Sequence, residues 1–283
     1  MILVFGKTGQ VASELAALLP EAVFLGRAEA DLTDPAACHA AILTAKPTAV
    51  INAAAYTAVD RAEEDEATAT LVNGQAPSAM AKACAELGIP LVHISTDYVF
   101  DGQGRDPFSP DQATAPLGAY GRSKLLGEQG VIAAGGVHAI VRTSWVFSAH
   151  GANFVKTMLR LGATRDQLSI VADQTGGPTP ARAVAQVCLA IATQLISEPS
   201  KSGTYHFTGA PDVSWADFAR AIFQSAAIDC VVQDIPTSAY PTPAARPANS
   251  RLSCETTLAT FDLPRPSWAE ALSETLTELD PQP

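Results

Sequence analysis

The chain is short of positive charge, lacks any cysteine pairing pattern and has no long apolar run. Each shortage removes a class of protein. Lysine and arginine number 18 against 29 aspartate and glutamate, leaving a net charge of -11. That balance argues against a nucleic-acid or anionic-membrane surface. It also means that an anionic small ligand would need a local cluster of Arg or Lys. The cysteines (Cys38, Cys84, Cys188, Cys230, Cys254) are odd in number, scattered, and form no Cys-x-x-Cys. Buried thiols in a reducing compartment are therefore expected, in place of disulfides or zinc. The five histidines have no ligand spacing, so each is read as a satisfied or exposed side chain and no metal site is expected. No apolar stretch approaches the roughly 20 residues of a spanning helix. Ile2-Leu3-Val4-Phe5 follows no basic segment and reads as a core strand, not a signal peptide, so a soluble cytoplasmic protein is expected. Charged residues make up only 17% and apolar ones 47%, which favours a substantial core over disorder.

The 283 residues suffice for one large domain or two unequal ones. Short apolar runs alternate with helical stretches through the first half, the rhythm of a parallel sheet covered on both faces. Strands are expected at 2–5, 22–25, 49–52, 91–95 and 139–142, with helices at 11–19, 35–45, 68–87 and 120–134. Residues 101–116 hold three prolines and two glycines and read as a covering loop. After Trp145 the rhythm changes. Helices are expected at 154–161, 180–195, 214–226 and 267–279, strands at 169–171 and 204–208, and irregular chain across the four prolines of 236–247. The fold class expected is α/β, a Rossmann-type doubly wound parallel sheet with a smaller C-terminal α/β substrate-binding lobe. Residues 1–147, joined by roughly 168–200, form the first domain; 148–167 and 201–283 form mainly the lobe.

Gly6-Lys-Thr-Gly9-Gln-Val-Ala12 follows a strand and opens a helix. Glycines there permit a tight turn and close approach of backbone to a pyrophosphate at the helix N-terminus, with Ala12 in place of the third glycine. A P-loop is rejected because its first glycine would fall on Met1. Gly6, Thr8, Gly9, Gln10 and Val11 are thus candidate dinucleotide contacts. Cofactor choice is expected after the second strand, about 20 residues past the glycines. Arg27 stands there, either as a clamp for a 2′-phosphate or as a surface arginine with no ligand. Glu29 complicates that choice. Asp31 and Leu32 are candidates to flank the adenine. Ala54, Ala55 and Tyr56, at the end of the third strand, leave room for the dinucleotide backbone, although alanine runs are also ordinary packing.

Tyr120-Gly-Arg-Ser-Lys124 lies downstream of Ser95-Thr96-Asp97. A Tyr and a Lys at this spacing share one helix face. A tyrosine with a pKa near ~10 is a poor proton donor at neutral pH, and an adjacent ammonium would bring its titration towards working pH. Lone Tyr-x-x-x-Lys strings are commonly a solvated helix face; what lifts this one is the nucleotide turn upstream. The acidic stretch Asp60–Glu66 is read as an exposed helix face and not as a metal site.

Together these residues resemble the extended short-chain dehydrogenase/reductases, and within them the branch that reduces the C4 ketone of dTDP-4-dehydro-6-deoxy-L-mannose to dTDP-L-rhamnose. The likeness runs nearly end to end, through Asn52-Ala-Ala-Ala-Tyr-Thr-Ala-Val-Asp60, Ser95-Thr-Asp-Tyr-Val-Phe-Asp101, Arg142-Thr-Ser-Trp-Val-Phe147, Asp173-Gln-Thr-Gly-Gly-Pro-Thr179 and the proline-rich 241–252. The resemblance implies NADPH as cofactor, with NADH as the alternative. It implies that Tyr120 protonates O4, that Lys124 holds the nicotinamide ribose, and that Thr96 bonds the same oxygen, with Asp97 and Tyr98 beside it. Trp145 would contact the sugar. Arg246, Asn249 and Arg251 would supply the positive charge that a sugar nucleotide diphosphate needs. Some members of the family dimerise through Mg²⁺ held by clustered glutamates; Glu14 fits one position, but Arg182 stands at another. Mg²⁺ is therefore not expected, and a monomer or metal-free homodimer is. Two other readings stay open: a nucleotide-sugar epimerase or epimerase–reductase, and a non-catalytic NADP-binding regulatory subunit.

Overall fold

The computed structural model describes residues 1–279, so the last four residues of the expected lobe, 280–283, lie outside the described residues. Five strands open the fold, all but the edge strand β2 largely buried: β1 Ile2–Phe5, β2 Val23–Leu25, β3 Ala49–Asn52, β4 Leu91–Thr96 and β5 His138–Thr143. With the later strand Gly203–His206 they make one six-stranded sheet. Its order is 203–206, β5, β4, β3, β1, β2, and every pairing is parallel. The sheet is of the Rossmann type, with helices on both faces. Helices Gln10–Leu18 and Ala181–Ser197 cover one face, where Leu15, Val184, Cys188 and Ile191 meet Val4, Ile51 and Val141. Helices Pro35–Ala45 and Ala76–Leu87 cover the other, where Ile42, Met80 and Cys84 meet Leu3, Val50 and Ile140. Near-continuous apolar strands are what burial on both faces demands.

The chain leaves β1 for β2 on one side and then returns to lay β3 on the other. That reversal opens a crevice at the carboxyl ends of β1 and β3, where open α/β sheets take their ligands.

A second core lies beyond Phe147. It packs helix Phe154–Gly162, the parallel pair Gln167–Val171 with Val231–Ile235, and helices Trp215–Ser225 and Trp268–Leu279 around Phe218, Ile222 and Trp268. Two stretches change sides relative to the expected division. Residues 203–206 pair with β5 and belong to the sheet. Residues 168–171 pair with the strand 231–235, which sequence reading had not marked, and belong to the second core. Pairing partners far along the chain decide both placements. The expected helix 68–87 begins earlier, at Glu66, and carries a π-helical segment at Leu71–Gln75.

Candidate active site

The glycine turn sits in the crevice between β1 and β3. Gly6 has φ of +111°, and a Cβ there would lie 3.2 Å from the carbonyl of Ala53. Helix Gln10–Leu18 starts from an extended Gly9 with no side chain capping its first N–H groups, which leaves a cradle suited to an anion. Thr8 and Gly9 are exposed, as a contact to a ligand requires. The side chain of Gln10 is engaged elsewhere in the protein. Its Nε2 donates to Val146 O at 3.4 Å, and its Oε1 accepts from Ser148 Oγ at 3.0 Å and from Asn153 Nδ2 at 2.9 Å. The side chain thus ties the nucleotide helix to the second core. Val11 is buried in the first core.

Arg27 is exposed just past β2. Glu29, which complicates the choice at that position, folds along the surface to accept from Gly26 N–H at 2.9 Å and from Lys7 Nζ at 3.3 Å. Those bonds hold its carboxyl below the usual range, the Gly26 bond most strongly. Asp31 accepts from Thr33 N–H and caps the local turn, and Leu32 packs partly against the sheet cluster. Across the crevice, Ala54 and Tyr56 are half-buried and Ala55 is exposed. Tyr56 is fixed from both sides by Asn73, which accepts from its N–H at 2.8 Å and donates to its carbonyl at 3.0 Å.

Asn73 is a residue that sequence reading missed. It lies in the π-helical segment, and its Nδ2 also donates to Ser123 Oγ at 3.0 Å. Ser123 in turn donates to Tyr120 O at 2.8 Å. One buried amide therefore joins the crevice wall to helix Ala119–Ala133, which carries Tyr120 and Lys124. Glu63 caps that helix by accepting from Ala119 N–H at 2.8 Å, Glu66 grips Arg122 with both oxygens, and Asp60 pairs with Arg246. The acidic stretch 60–66 is thus more than a solvated face: it anchors the Tyr/Lys helix and the proline-rich segment.

Tyr120 and Thr96 come together at the carboxyl end of β4. Burial pushes the Tyr120 phenol well above its ordinary range, and a hydrogen bond with the Thr96 side chain partly offsets that rise. The expected lowering of the phenol by Lys124 is not realised. Lys124, only 2% exposed, donates to Ile94 O at 2.7 Å and lies 3.3 Å from His93 Nε2. Burial brings its ammonium down to about 8, with Glu128 opposing. Beside them Thr96 donates to Asp97 Oδ1 at 3.0 Å, and burial pushes Asp97 up to about 6. Tyr98 stands edge-on to Tyr120 at 5.4 Å, its own phenol raised to about 12 by burial and by Asp97.

Trp145 follows β5 with a φ of +51° and stacks flat on Trp215, ring centroids 3.5 Å apart. The role of Trp215 went unmarked in the sequence because only the fold sets the start of helix 215–225 against the turn that follows β5. Arg246 reaches Tyr98 and Asp60, with its Nη1 buried and free of any partner among the described residues. Asn249 donates to Asp106 O at 2.9 Å and Arg251 to Arg105 O at 2.7 Å, so both clamp the 101–116 loop. Phe108 is stacked on Phe100 at 4.4 Å and makes that loop a fixed cover. The hydroxyls of Tyr56 and Thr143 and the Oδ2 of Asp97 are also buried without partners among the described residues. Such orphaned groups at one end of the sheet suit a polar ligand.

A glycine turn at the sheet's reversal point, with a Tyr/Lys helix alongside, defines a Rossmann-type reductase scaffold. The particular assignment follows from comparison: residues 1–280 match the family of the RmlD substrate binding domain, and the chain belongs to that family. A dTDP-4-dehydrorhamnose reductase from Burkholderia thailandensis is 46% identical over 294 aligned positions, covering 98% of each chain. Two solved structures carrying the same enzyme name are close in shape. That from Clostridium acetobutylicum superposes with a TM-score of 0.91 at 38% identity, over 98% of this chain and 99% of its own. That from Bacillus anthracis, in complex with NADP, gives 0.90 at 34% identity over 98% of each chain. Among the described residues no helix is long and apolar enough to cross a membrane.

Proposed function

We propose that the protein reduces the C4 ketone of dTDP-4-dehydro-6-deoxy-L-mannose to dTDP-L-rhamnose, the final step in making that nucleotide sugar, with NADPH as its reductant. The observation that carries this reading is the juxtaposition of Tyr120, Thr96 and Lys124 beside the glycine turn, in a chain similar to reductases of that name. The cradle at Gly6 and Gly9 fits a pyrophosphate, and Arg27 fits a 2′-phosphate. NADPH supplies the hydride when bound.

The chain's own residues do the rest. Burial keeps Tyr120 a neutral phenol, so it holds a proton ready for O4 as negative charge develops there. Thr96 turns its hydroxyl from Asp97 to the same oxygen and steadies that charge. Trp145, braced by Trp215, presents a flat wall for the sugar. Arg246 offers its free Nη1 to the diphosphate of an otherwise acidic protein. The clamped 101–116 loop keeps water from the reacting end of β4. The direct test follows absorbance at 340 nm with NADPH or NADH, on substrate generated in situ from dTDP-glucose. Oxidation of NADPH that depends on the 4-keto sugar, with dTDP-rhamnose as product, supports the proposal. Release of an epimerised keto sugar without net oxidation of the cofactor overturns it.

A further inference from the structure

Behind Lys124 lies a chain of polar groups whose donor and acceptor roles are fixed by geometry. Its outer end is a backbone amide. Ala54 N–H donates to Asn52 Oδ1 at 3.1 Å, so the other amide atom, Nδ2, faces His93. Asn52 Nδ2 is 3.0 Å from His93 Nδ1 and can only donate, so Nδ1 is the acceptor and the ring proton is on Nε2. His93 Nε2 is 3.3 Å from Lys124 Nζ. An N–H facing the lysine requires a lone pair on Nζ, and only a neutral amine has one. Nζ meanwhile donates to Ile94 O. His93 is fully buried.

We propose that His93, locked by Asn52 in its Nε2–H tautomer, is a positioning residue that holds Lys124 poised between amine and ammonium. This rests on the reading of Lys124 as part of the reductase site. Among the other charged or titratable groups around Lys124, Glu128 opposes the amine. Glu128, on the same helix, favours the ammonium but is spent on Arg142 of β5, with Nη2 to Oε2 at 2.6 Å, and on Ser95 of β4. Tyr120 is a neutral phenol, and Asp97 lies on the turn beyond Thr96. A lysine whose proton is easily lost and regained is suited to restoring the proton that Tyr120 gives away.

The tautomer is read directly from imidazole ¹⁵N shifts of the intact protein, assigned by comparison with His93→Phe. A protonated Nε2 with a bare Nδ1 is expected. A protonated Nδ1 overturns the proposal. The lysine is read from the ¹³Cε shift of Lys124 through a pH titration, assigned with Lys124→Met. In His93→Phe its midpoint should rise by about one unit or more, a tenfold change in proton affinity, because the donor to the amine is gone. The alkaline limb of kcat for reduction should move up with it. An unchanged midpoint in a folded His93→Phe sinks the idea. Should that variant not fold, Asn52→Asp serves instead: its acceptor-only side chain flips His93 to the Nδ1–H form, and the lysine midpoint must again rise. Both spectroscopic readings need no turnover, so they stand or fall independently of the substrate assignment.

Discussion

Tyr120 is buried enough that its phenol titrates well above neutrality, so its value lies in the proton it holds rather than in forming a phenolate. Tyr120→Phe keeps the ring, the edge contact with Tyr98 and the helix, and removes only that proton. Turnover should fall by ~10²–10⁴-fold with cofactor affinity nearly unchanged. A variant retaining half of the parent kcat would contradict the role. Thr96→Val should cost less, since the donor survives, and should appear in kcat more than in KM. At the entrance, Arg27 is exposed while Glu29 is turned into the Gly26 turn, which leaves the arginine free for a phosphate. Arg27→Ala should raise the KM for NADPH and leave that for NADH in place; equal rises would mean that Arg27 touches a part common to both. Asp97 gives a pH signature in stability. Its folded pKa of about 6 exceeds the usual 3.8, so the folded chain binds this proton more tightly. The contribution is fully present below about pH 4 and is lost as pH rises through about 6, a fall on the order of 2–3 kcal/mol. Asp97→Asn should flatten that fall in denaturant melts taken from pH 4.5 to 7.5, and an identical slope in both proteins would argue against a buried, protonated Asp97.

At the level of elements, helix Ala119–Ala133 approaches the π-helical segment so closely that there is no room for a side chain at Gly127. A Cβ there would run into the carbonyl oxygen of Asn73. Helix propensity alone favours Gly127→Ala by up to ~1 kcal/mol. Overpacking against backbone should outweigh that gain, at about 1–3 kcal/mol, and the Asn73–Ser123 link should loosen with it. A stabilised Gly127→Ala would show that the two helices are free to separate. The same contact illustrates what was legible in advance. The parallel sheet, the glycine turn and the Tyr/Lys helix were readable because each is written in a local pattern of apolar runs, glycines or fixed spacing. Asn52, Asn73 and His93 were not, because their meaning comes from partners 17 to 50 positions away. The π-helical segment has no propensity signature of its own. The strand Val231–Ile235 is too exposed to give an apolar run, and its register is supplied wholly by 167–171. Asn249 and Arg251 were readable as a polar motif, yet only the fold directs them to the loop 101–116.

For the whole molecule, a net charge of -11 sets the terms of association: two such chains repel unless acidic faces are neutralised. The face around Glu14 carries its own neutralisation. Glu14 is 7% exposed, and burial and the nearby Glu278 raise its carboxyl, while His150 and Arg182 pull it down. Arg182 Nη1 lies 3.6 Å from Glu278 Oε1, and His150 Nε2 lies 3.7 Å from Glu14 Oε1. A fixed guanidinium thus occupies the side of the cluster from which a divalent cation would draw a carboxylate. Mg²⁺ prefers a near-octahedral set of oxygens, and a permanent positive charge within the set repels it. Mass and turnover should therefore be indifferent to chelation, with a monomer or a metal-free dimer in solution. Light scattering behind a sizing column, with millimolar EDTA or millimolar Mg²⁺, measures the first; the 340-nm assay on the same samples measures the second. Arg182→Glu should create the opposite behaviour, making the cluster all-acidic and its stability responsive to Mg²⁺. A parent mass that halves in EDTA, or parent activity that returns only with Mg²⁺, would mean that Arg182 does not stand in for the metal.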